Sequence, residues 1–280
     1  MTQKINTNEL SLWMQLIFDL TGIALSAEKE YLIIERFQCL FKKYNCSSFS
    51  QLYFMAKDKQ NVELREDIID QITTKETSFF RDQMPFEALK SIVFPELLSR
   101  CNENGKKRPI KIWCAACSTG QEPYSVAMTL RDMGVQPHDF SIFATDISRQ
   151  AVEAAKRGCY NRFEIERGMP NQYLSRFFTP CNGDKWCIND VIKQTVSFQR
   201  INLHQAFVLP ETFDLIICRN VAIYFSQNSR RELFSRVSSY MQNHGYLMLG
   251  STESVRDLSE MFQEIRPFKQ SVFFRHKDCR

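Results

Sequence analysis

The sequence predicts an α/β protein preceded by a separate all-helical part. Two observations support this fold class. Up to about residue 84 the apolar residues recur at helical spacing, whereas from about residue 110 short apolar runs alternate with amphipathic stretches. Alternating strands and helices are typical of a parallel sheet with helices on both faces. A chain of 280 residues is long enough for both parts.

The first part, residues 1–84, is predicted to be a small all-α domain of four helices. The first helix ends near Gly22, and Ser26 can cap the second. Each helix has one apolar face. In chain order the apolar positions are Leu10, Trp13, Met14, Ile17 and Phe18; Ile33, Phe37, Leu40, Phe41 and Tyr44; residues 52–56; and Leu64, Ile68, Ile69 and Ile72.

The second part, residues 85–280, carries the alternating pattern. The predicted strands lie at 110–116, 140–146, within 195–203, at 213–220, 246–250 and 271–276. The predicted helices lie at 123–133, 148–158 and 229–241. The last strand is allowed to run antiparallel, which is a common variation at a sheet edge.

One segment departs from this alternation. Residues 177–198 contain the tight-turn dipeptide Asn182-Gly183, so we expect a small antiparallel β-subdomain inserted at about 177–200. Inserts of this kind can bind a partner. The alternative is a surface decoration without a partner.

The composition excludes several classes of protein. A net charge of +4 is too small for the basic surface of a nucleic-acid-binding protein. No apolar run reaches the ~18 residues of a membrane span, and no secretory signal is visible. The ten cysteines have no framework spacing, so we expect reduced thiols in the cytoplasm and no metal. The C-x-x-C of Cys114 and Cys117 has no second pair nearby, and strand alternation sends its side chains to opposite faces.

The loop after the first strand of the sheet, STGQEP (118–123), resembles a ligand loop. A dinucleotide site has G-x-G-x-x-G here, whereas this loop has one glycine, Gly120, and an acid, Glu122. A carboxylate repels a diphosphate but accepts hydrogen bonds from an amine. The loop therefore favours a cofactor with an ammonium group and no phosphates, such as S-adenosylmethionine. Alternatively, Glu122 only favours the positive end of the following helix.

Other polar residues follow strands at the same edge of the sheet. Asp146 ends the second strand, where an acid commonly binds ribose hydroxyls, although it can also be a simple helix cap. Arg219 and Asn220 follow the strand DLIIC, with Tyr224 close behind. Ligands of open parallel sheets bind at the carboxyl ends of strands, so we expect these side chains to meet.

Five stretches carry a family resemblance. In order they are TTKETSFFRD, IKIWCAACSTGQEPYSVAMTL, FATDIS, FDLIICRNVAIYF and GYLMLGSTES. Together they resemble the CheR family of chemotaxis receptor methyltransferases, with matching order from about residue 10 to 276. The resemblance implies a Rossmann-like class I methyltransferase domain with an N-terminal all-α domain and an inserted β-subdomain. It also implies transfer of a methyl group from S-adenosylmethionine to glutamate side chains of chemoreceptor cytoplasmic domains, giving methyl esters and S-adenosylhomocysteine for chemotaxis adaptation.

The resemblance also assigns residues to roles. Arg81 and Tyr224 are the residues nearest the transferred methyl group. Lys75 stands where the family often has Asn, and the loop TPCNGDK has one glycine where some members have a glycine-rich, peptide-binding loop. We therefore expect a member that does not need a receptor C-terminal peptide. The implied cofactor-binding residues are Lys75, Thr77, Arg81, Glu122, Asp146, Asn202, Leu203, Arg219 and Asn220.

The chemistry needs no strong base, because a free glutamate with a pKa of about 4.3 is already ionised at neutral pH. Alignment of the reacting groups is then the main contribution. We expect a cytoplasmic monomer whose partner, the receptor, docks on Arg36, Lys42, Lys43 and the β-subdomain, unless that face is only solvated. Two other functions stay open: methylation of another protein carboxylate or of a small molecule, and a signalling module that binds the cofactor without turnover.

Overall fold

The computed structural model describes residues 5–102, 107–181, 183–254, 258, 260–265 and 273–276. It confirms the predicted fold class: an all-α part, a mixed α/β part and a small antiparallel sheet. Among the described residues, no helix has both the length and the apolar character needed to cross a membrane.

The helices are α1 (Thr7–Thr21), α2 (Glu30–Arg36), α3 (Gln38–Lys43), α4 (Phe49–Lys57), α5 (Val62–Ile72), α6 (Met84–Ala88), α7 (Phe94–Cys101), α8 (Gln121–Asp132), α9 (Arg149–Arg157), α10 (Arg162–Glu166), α11 (Asn171–Phe177), α12 (Asp190–Lys193) and α13 (Gln227–Ser239). The strands are β1 (Ile110–Ala115), β2 (Phe140–Asp146), β3 (Cys159–Asn161), β4 (Phe178–Cys181), β5 (Lys185–Ile188), β6 (Val196–Arg200), β7 (Phe213–Cys218), β8 (Met241–Leu249), β9 (Phe262–Ile265) and β10 (Phe273–His276). A π-helical turn joins α6 to α7.

The first helix shows how the local sequence determines where a helix begins and ends and which face it buries. At its start Asn6 and Glu9 form a capping box, in which each side chain accepts the other's backbone N–H. At its end Gly22, with φ 75°, donates its N–H to Phe18. The buried face of α1 packs around Trp13 in the core of the helical part. The helix therefore has sequence signals at both ends and along its apolar face.

In the part of the chain that the structure describes, the large sheet has the strand order β6-β2-β1-β7-β8-β10-β9. The strands from β6 to β8 are parallel, and β10 runs antiparallel to β8, which the sequence allowed for the closing strand, although β10 lies between β8 and β9 and not at the edge. Strands β1 and β7 are neighbours, and β1 continues along the chain to β2 on its other side. This switch point opens a crevice at the carboxyl ends of β1 and β7.

The predicted insert at about 177–200 differs from the observed small sheet. In the described residues that sheet has the order β3-β5-β4, so it begins at Cys159 and ends at Ile188. Strand β6 belongs to the large sheet, as the strand predicted within 195–203 requires, so the insert ends earlier than the predicted residue 200. In the large sheet Val196 pairs with Ile142 and its apolar side chain is buried. Asn182 of the predicted turn lies outside the described residues.

Candidate active site

A cleft opens at the carboxyl ends of β1, β2 and β7, with the helical part as its other wall. Including its open mouth it encloses about 1250 Å³. The predicted site residues that line it are Thr77, Arg81, Glu122, Asp146, Asn202, Leu203, Arg219, Asn220 and Tyr224.

Lys75 is the predicted site residue that does not line the cleft. Its Nζ donates a hydrogen bond to Gln150 Oε1 at 3.0 Å, because the side chain turns towards α9. Its backbone carbonyl accepts a hydrogen bond from Ser118 Oγ at 2.9 Å. Lys75 therefore contacts the loop after β1 through its backbone carbonyl.

The carboxylate of Asp146 anchors the loop after β1. Its Oδ2 accepts the N–H of Ser118 at 2.7 Å, and its Oδ1 accepts the N–H of Ser148 at 2.9 Å. Burial raises the pKa of Asp146, and these two backbone donors oppose the rise. A carboxylate has about four lone-pair positions, so capacity remains for ligand hydroxyl groups.

The same loop needs glycine at position 120. Gly120 has φ 95°, and a Cβ at this position would lie 2.9 Å from the Cβ of Ala155 and 3.1 Å from Tyr160 Oη. Two other residues of the loop, Ala116 and Ser118, also have left-handed backbone angles, with φ 61° and 50°. The loop therefore holds a strained backbone next to the cleft.

Arg219 forms a buried ionic group across the cleft floor. Its side chain is only 1% exposed, and it donates to Glu122 Oε2 at 3.0 Å and to Asp82 Oδ2 at 2.7 Å. Burial raises the pKa of Glu122, and the positive charge of Arg219 opposes that rise. Because Arg219 contacts Oε2, Glu122 keeps Oε1 for a ligand in the cleft.

The motif ETSFFRD forms the rim that carries Arg81. Phe80 and Asp82 within it, and Gln83 directly after it, have φ values of 48°, 68° and 41°, which are rare for residues with a side chain. The N–H of Phe80 is held by Ser125 Oγ at 3.0 Å. Arg81 donates to the carbonyl of Glu76 at 3.3 Å and lines the cleft.

Asn202 and Tyr224 connect the cleft to the helical part. Asn202 Nδ2 donates to the carbonyl of Leu20 at 2.8 Å, and its Oδ1 accepts the N–H of His204 at 3.0 Å. The carbonyl of Tyr224 accepts the N–H of Ala24 at 2.9 Å. The amide of Asn202 is therefore used largely within the protein, while both residues line the cleft.

Glu253 supports the site without lining the cleft, and sequence reasoning missed it. Its buried carboxylate accepts four backbone N–H groups: those of Gly250 and Asn220 on Oε2, at 2.9 and 2.6 Å, and those of Val221 and Ala222 on Oε1, at 3.1 and 2.9 Å. It thereby fixes the loop that follows β7. The sequence feature that could have indicated Glu253 is its position as an acidic residue shortly after the predicted strand YLMLG.

The C-x-x-C thiols behave as core residues. Cys114 and Cys117 are both buried, and burial raises the pKa of each thiol well above its usual value. A thiol with a raised pKa is a poor nucleophile and a poor metal ligand at neutral pH. Within this stretch it is Glu122, not a thiol of the pair, that offers a charged group to the cleft.

Comparisons with known proteins match both parts of the chain. The family model described as "CheR methyltransferase, all-alpha domain" matches residues 8–73, and "CheR methyltransferase, SAM binding domain" matches residues 75–270. A "Chemotaxis protein methyltransferase" of Vibrio parahaemolyticus serotype O3:K6 is 38% identical, covering 88% of each chain. "Chemotaxis protein methyltransferase 1" of Pseudomonas aeruginosa is 35% identical, covering 88% of this chain and 89% of that protein. The Escherichia coli K12 "Chemotaxis protein methyltransferase" is 30% identical, covering 89% of this chain and 85% of that protein.

Proposed function

The chain belongs to the CheR methyltransferase family, and from this premise we propose that it methylates glutamate side chains of chemoreceptor cytoplasmic domains. The methyl donor is S-adenosylmethionine, and the products are a glutamate methyl ester and S-adenosylhomocysteine, in the service of chemotaxis adaptation. The observation that carries the proposal is the cleft at the strand ends, where Asp146 and Glu122 offer carboxylate oxygens at two separate positions.

The residues of the cleft fit this cofactor by their chemistry. Asp146 has lone pairs left for ribose hydroxyls, and Glu122 has an oxygen left for an ammonium group. Neither acid suits a diphosphate. We propose that Thr77, Asn202, Leu203, Arg219 and Asn220 complete the cofactor site. Bound S-adenosylmethionine supplies a methyl group on a sulfonium sulfur, which is its own leaving group.

The chain's own residues then have to position the acceptor. A glutamate carboxylate is already ionised at neutral pH, so a general base is not required. Alignment of bound reactants can lower a barrier by about 7–11 kcal/mol. We propose that the guanidinium of Arg81 orients the incoming carboxylate and that Tyr224 confines the reacting groups. Arg81 must bind the acceptor more tightly in the transition state than in the ground state, because equal binding of the two states does not raise the rate of the chemical step.

The test uses the full chain, labelled S-adenosylmethionine and receptor cytoplasmic fragments, followed by mapping of base-labile methyl esters. Arg81→Ala and Asp146→Ala should each lower methyl transfer at least 100-fold with the fold intact by circular dichroism. Arg231→Ala, which removes only an exposed ion pair with Glu260, is the matched control. Normal turnover of Arg81→Ala would refute its role. Binding of both cofactor forms by calorimetry without any turnover would support a signalling module instead.

The basic residues predicted to dock the receptor on the helical part differ in how far they are used within the protein. Arg36 donates to the carbonyl of Ile72 at 2.6 Å, and Lys43 pairs with Asp67 at 2.6 Å and Glu63 at 2.8 Å. Charge reversal of either residue would therefore also disturb the fold. Lys42 is exposed on α3 and is the cleaner probe.

We propose that Lys42, with Arg36, Lys43 and the small β-sheet, contacts the receptor. Lys42→Glu should raise the KM for receptor and leave cofactor affinity unchanged, whereas Lys156→Glu on α9 serves as the control. Equal receptor kinetics for both variants would contradict this surface. We also propose domains at 1–84 and 85–280 and a cytoplasmic monomer, which sedimentation of the purified chain and fractionation of cells can check.

A further inference from the structure

The small sheet presents two chemically different faces. Strand alternation places Tyr160, Phe178 and Ile188 on the face that packs into the core. The opposite face carries Cys159 on β3, Cys181 on β4 and Cys187 on β5. These cysteines therefore do not belong to the core packing that explains thiols such as Cys114.

The register of the sheet brings the three cysteines together. Cys159 lies directly opposite Cys187, with a Cα–Cα distance of 4.0 Å. Cys181 lies opposite Lys185, two residues along β5 from Cys187, and its Cα is 6.2 Å from that of Cys187. The three Sγ atoms all lie within 4.8 Å of one another, and all three residues are half-buried.

The valence of sulfur limits what this cluster can be. Sγ of Cys187 touches the sulfurs of both Cys159 and Cys181. One sulfur forms only one disulfide bond at a time, so a disulfide uses two of the thiols and leaves the third over. A metal ion uses all three as thiolates. In a reducing compartment, clustered cysteines are more often metal ligands than disulfides.

We propose that Cys159, Cys181 and Cys187 bind one zinc ion through three thiolates, with water in the fourth position. Tetrahedral zinc with Zn–S bonds of about 2.3 Å requires sulfurs about 3.8 Å apart, which small side-chain rotations provide within the 4.8 Å cluster. Among the described residues, no further His, Cys, Asp or Glu joins the group, so solvent supplies the last ligand. Binding releases the three thiol protons to water. This revises the expectation from sequence that the chain binds no metal.

The site lies outside the cofactor cleft and does not depend on the proposed methyl transfer. A zinc ion with three thiolates has a net charge of −1, and the ammonium group of Lys185, opposite Cys181, belongs to the same face. The ion would tie together all three strands of the small sheet. That sheet supports the cofactor loop, because Tyr160 Oη donates to the carbonyl of Thr119 at 2.8 Å. We therefore expect loss of the zinc ion to lower the stability of the protein more than its turnover.

The experiment measures metal directly in the full chain purified under reducing conditions. Elemental analysis should find one zinc per chain, and replacement by cobalt should give the absorption bands of a tetrahedral thiolate site. Cys159→Ser, Cys181→Ser and Cys187→Ser should each weaken zinc binding at least tenfold in competition with a chelating dye. Cys39→Ser removes an exposed thiol outside the cluster and should leave stoichiometry and affinity unchanged.

A second measurement on the unmutated protein avoids the risk that a variant fails to fold. Zinc should slow iodoacetamide alkylation of the three clustered cysteines, read by peptide mass spectrometry, while Cys39 reacts at an unchanged rate. Substoichiometric zinc with no protection of the cluster would overturn the proposal. So would a disulfide from Cys187 to either neighbour in protein quenched with alkylating agent in reducing cells.

Discussion

Replacing Glu253 by glutamine tests how the loop after β7 is held. The substitution keeps the size of the side chain and removes its charge. It also replaces one acceptor oxygen by an NH₂ group, although the native carboxylate accepts two N–H groups on each oxygen. Whichever way the amide turns, two backbone donors then face another donor.

The cost follows from those two donors. A buried N–H that loses its acceptor costs about 1–3 kcal/mol, so two of them cost about 2–6 kcal/mol. The loop of residues 219–222 avoids this cost by moving, which displaces Arg219 and Asn220 from the cleft. Cofactor binding then has to return the loop to its place, and this costs the same free energy. Since 1.4 kcal/mol corresponds to a tenfold change in affinity, the lower limit of about 2 kcal/mol predicts a loss of about 30-fold in affinity for the cofactor.

The assay is calorimetric titration with S-adenosylhomocysteine, beside initial rates at varied S-adenosylmethionine. We expect the KM for S-adenosylmethionine to rise more than kcat falls, which identifies a positioning residue. Glu253→Asp keeps both oxygens and should recover part of the affinity, while Glu35→Gln removes an exposed carboxylate of α2 as control. Wild-type affinity and thermal midpoint for Glu253→Gln would refute the reasoning.

Three further outcomes follow from the site. Burial raises the pKa of Glu122, and an ammonium ligand needs its ionised form. Affinity for S-adenosylhomocysteine, measured by calorimetry, should therefore fall as the pH is lowered from 7.5. Glu122→Gln should bind S-adenosylhomocysteine at least tenfold more weakly at pH 7.5, and its affinity should depend less on pH. Lys75→Ala should change cofactor affinity less than threefold, since its side chain turns to Gln150; a larger loss would place it in the cofactor site. Gly168 has φ 100°, and an added Cβ would overlap the carbonyl oxygen of Phe79, so Gly168→Ala should lower both the thermal midpoint and kcat/KM. Gly134→Ala shares the left-handed backbone, with φ 84°, but meets open space, and equal activity losses in the two variants would exclude the clash as the cause.

The large sheet was predictable because each of its main strands is a local signal. FDLIIC and IKIWCA are short buried runs bounded by turns, and polar residues at their ends necessarily reach the ligand edge of a parallel sheet. Glu122, Asp146 and Arg219 were found by this rule from single strands. Strand β9 was missed because four residues, FQEI, contain too little periodicity to be distinguished from a loop.

The small sheet was predicted to exist, but its extent and chemistry depend on long-range pairing. Strand β3 has only three residues and joins the sheet because it pairs with β5. Cys159 and Cys187 are 28 residues apart, so their meeting depends on a register that sequence spacing does not encode. Glu253 was missed for the same reason, since its donors Asn220, Val221 and Ala222 come from another strand end.

A common construction links three loops of the cleft, at residues 80–83, 116–120 and 219–222. Each of the three carries a non-glycine residue in the left-handed region, which costs about 1–3 kcal/mol unless its surroundings enforce it. In each loop one such residue donates its N–H to a side chain from elsewhere in the fold: Phe80 to Ser125 at 3.0 Å, Ser118 to Asp146 at 2.7 Å, and Asn220 to Glu253 at 2.6 Å.

The side chains that accept these N–H groups, those of Ser125, Asp146 and Glu253, are anchors of the three loops. They explain why the residues proposed for the site lie where the backbone conformation is least favourable. The strained residue turns its loop towards the cleft, and the anchor keeps it there. Asp146 anchors Ser118, and in the proposed function the same carboxylate, which lines the cleft, also binds the cofactor. On that proposal, loss of Asp146 removes a cofactor contact and releases a strained loop together, whereas loss of Ser125 or Glu253 releases a loop alone. The effects of the anchor variants on cofactor affinity thus separate the contribution of loop geometry from that of direct contact.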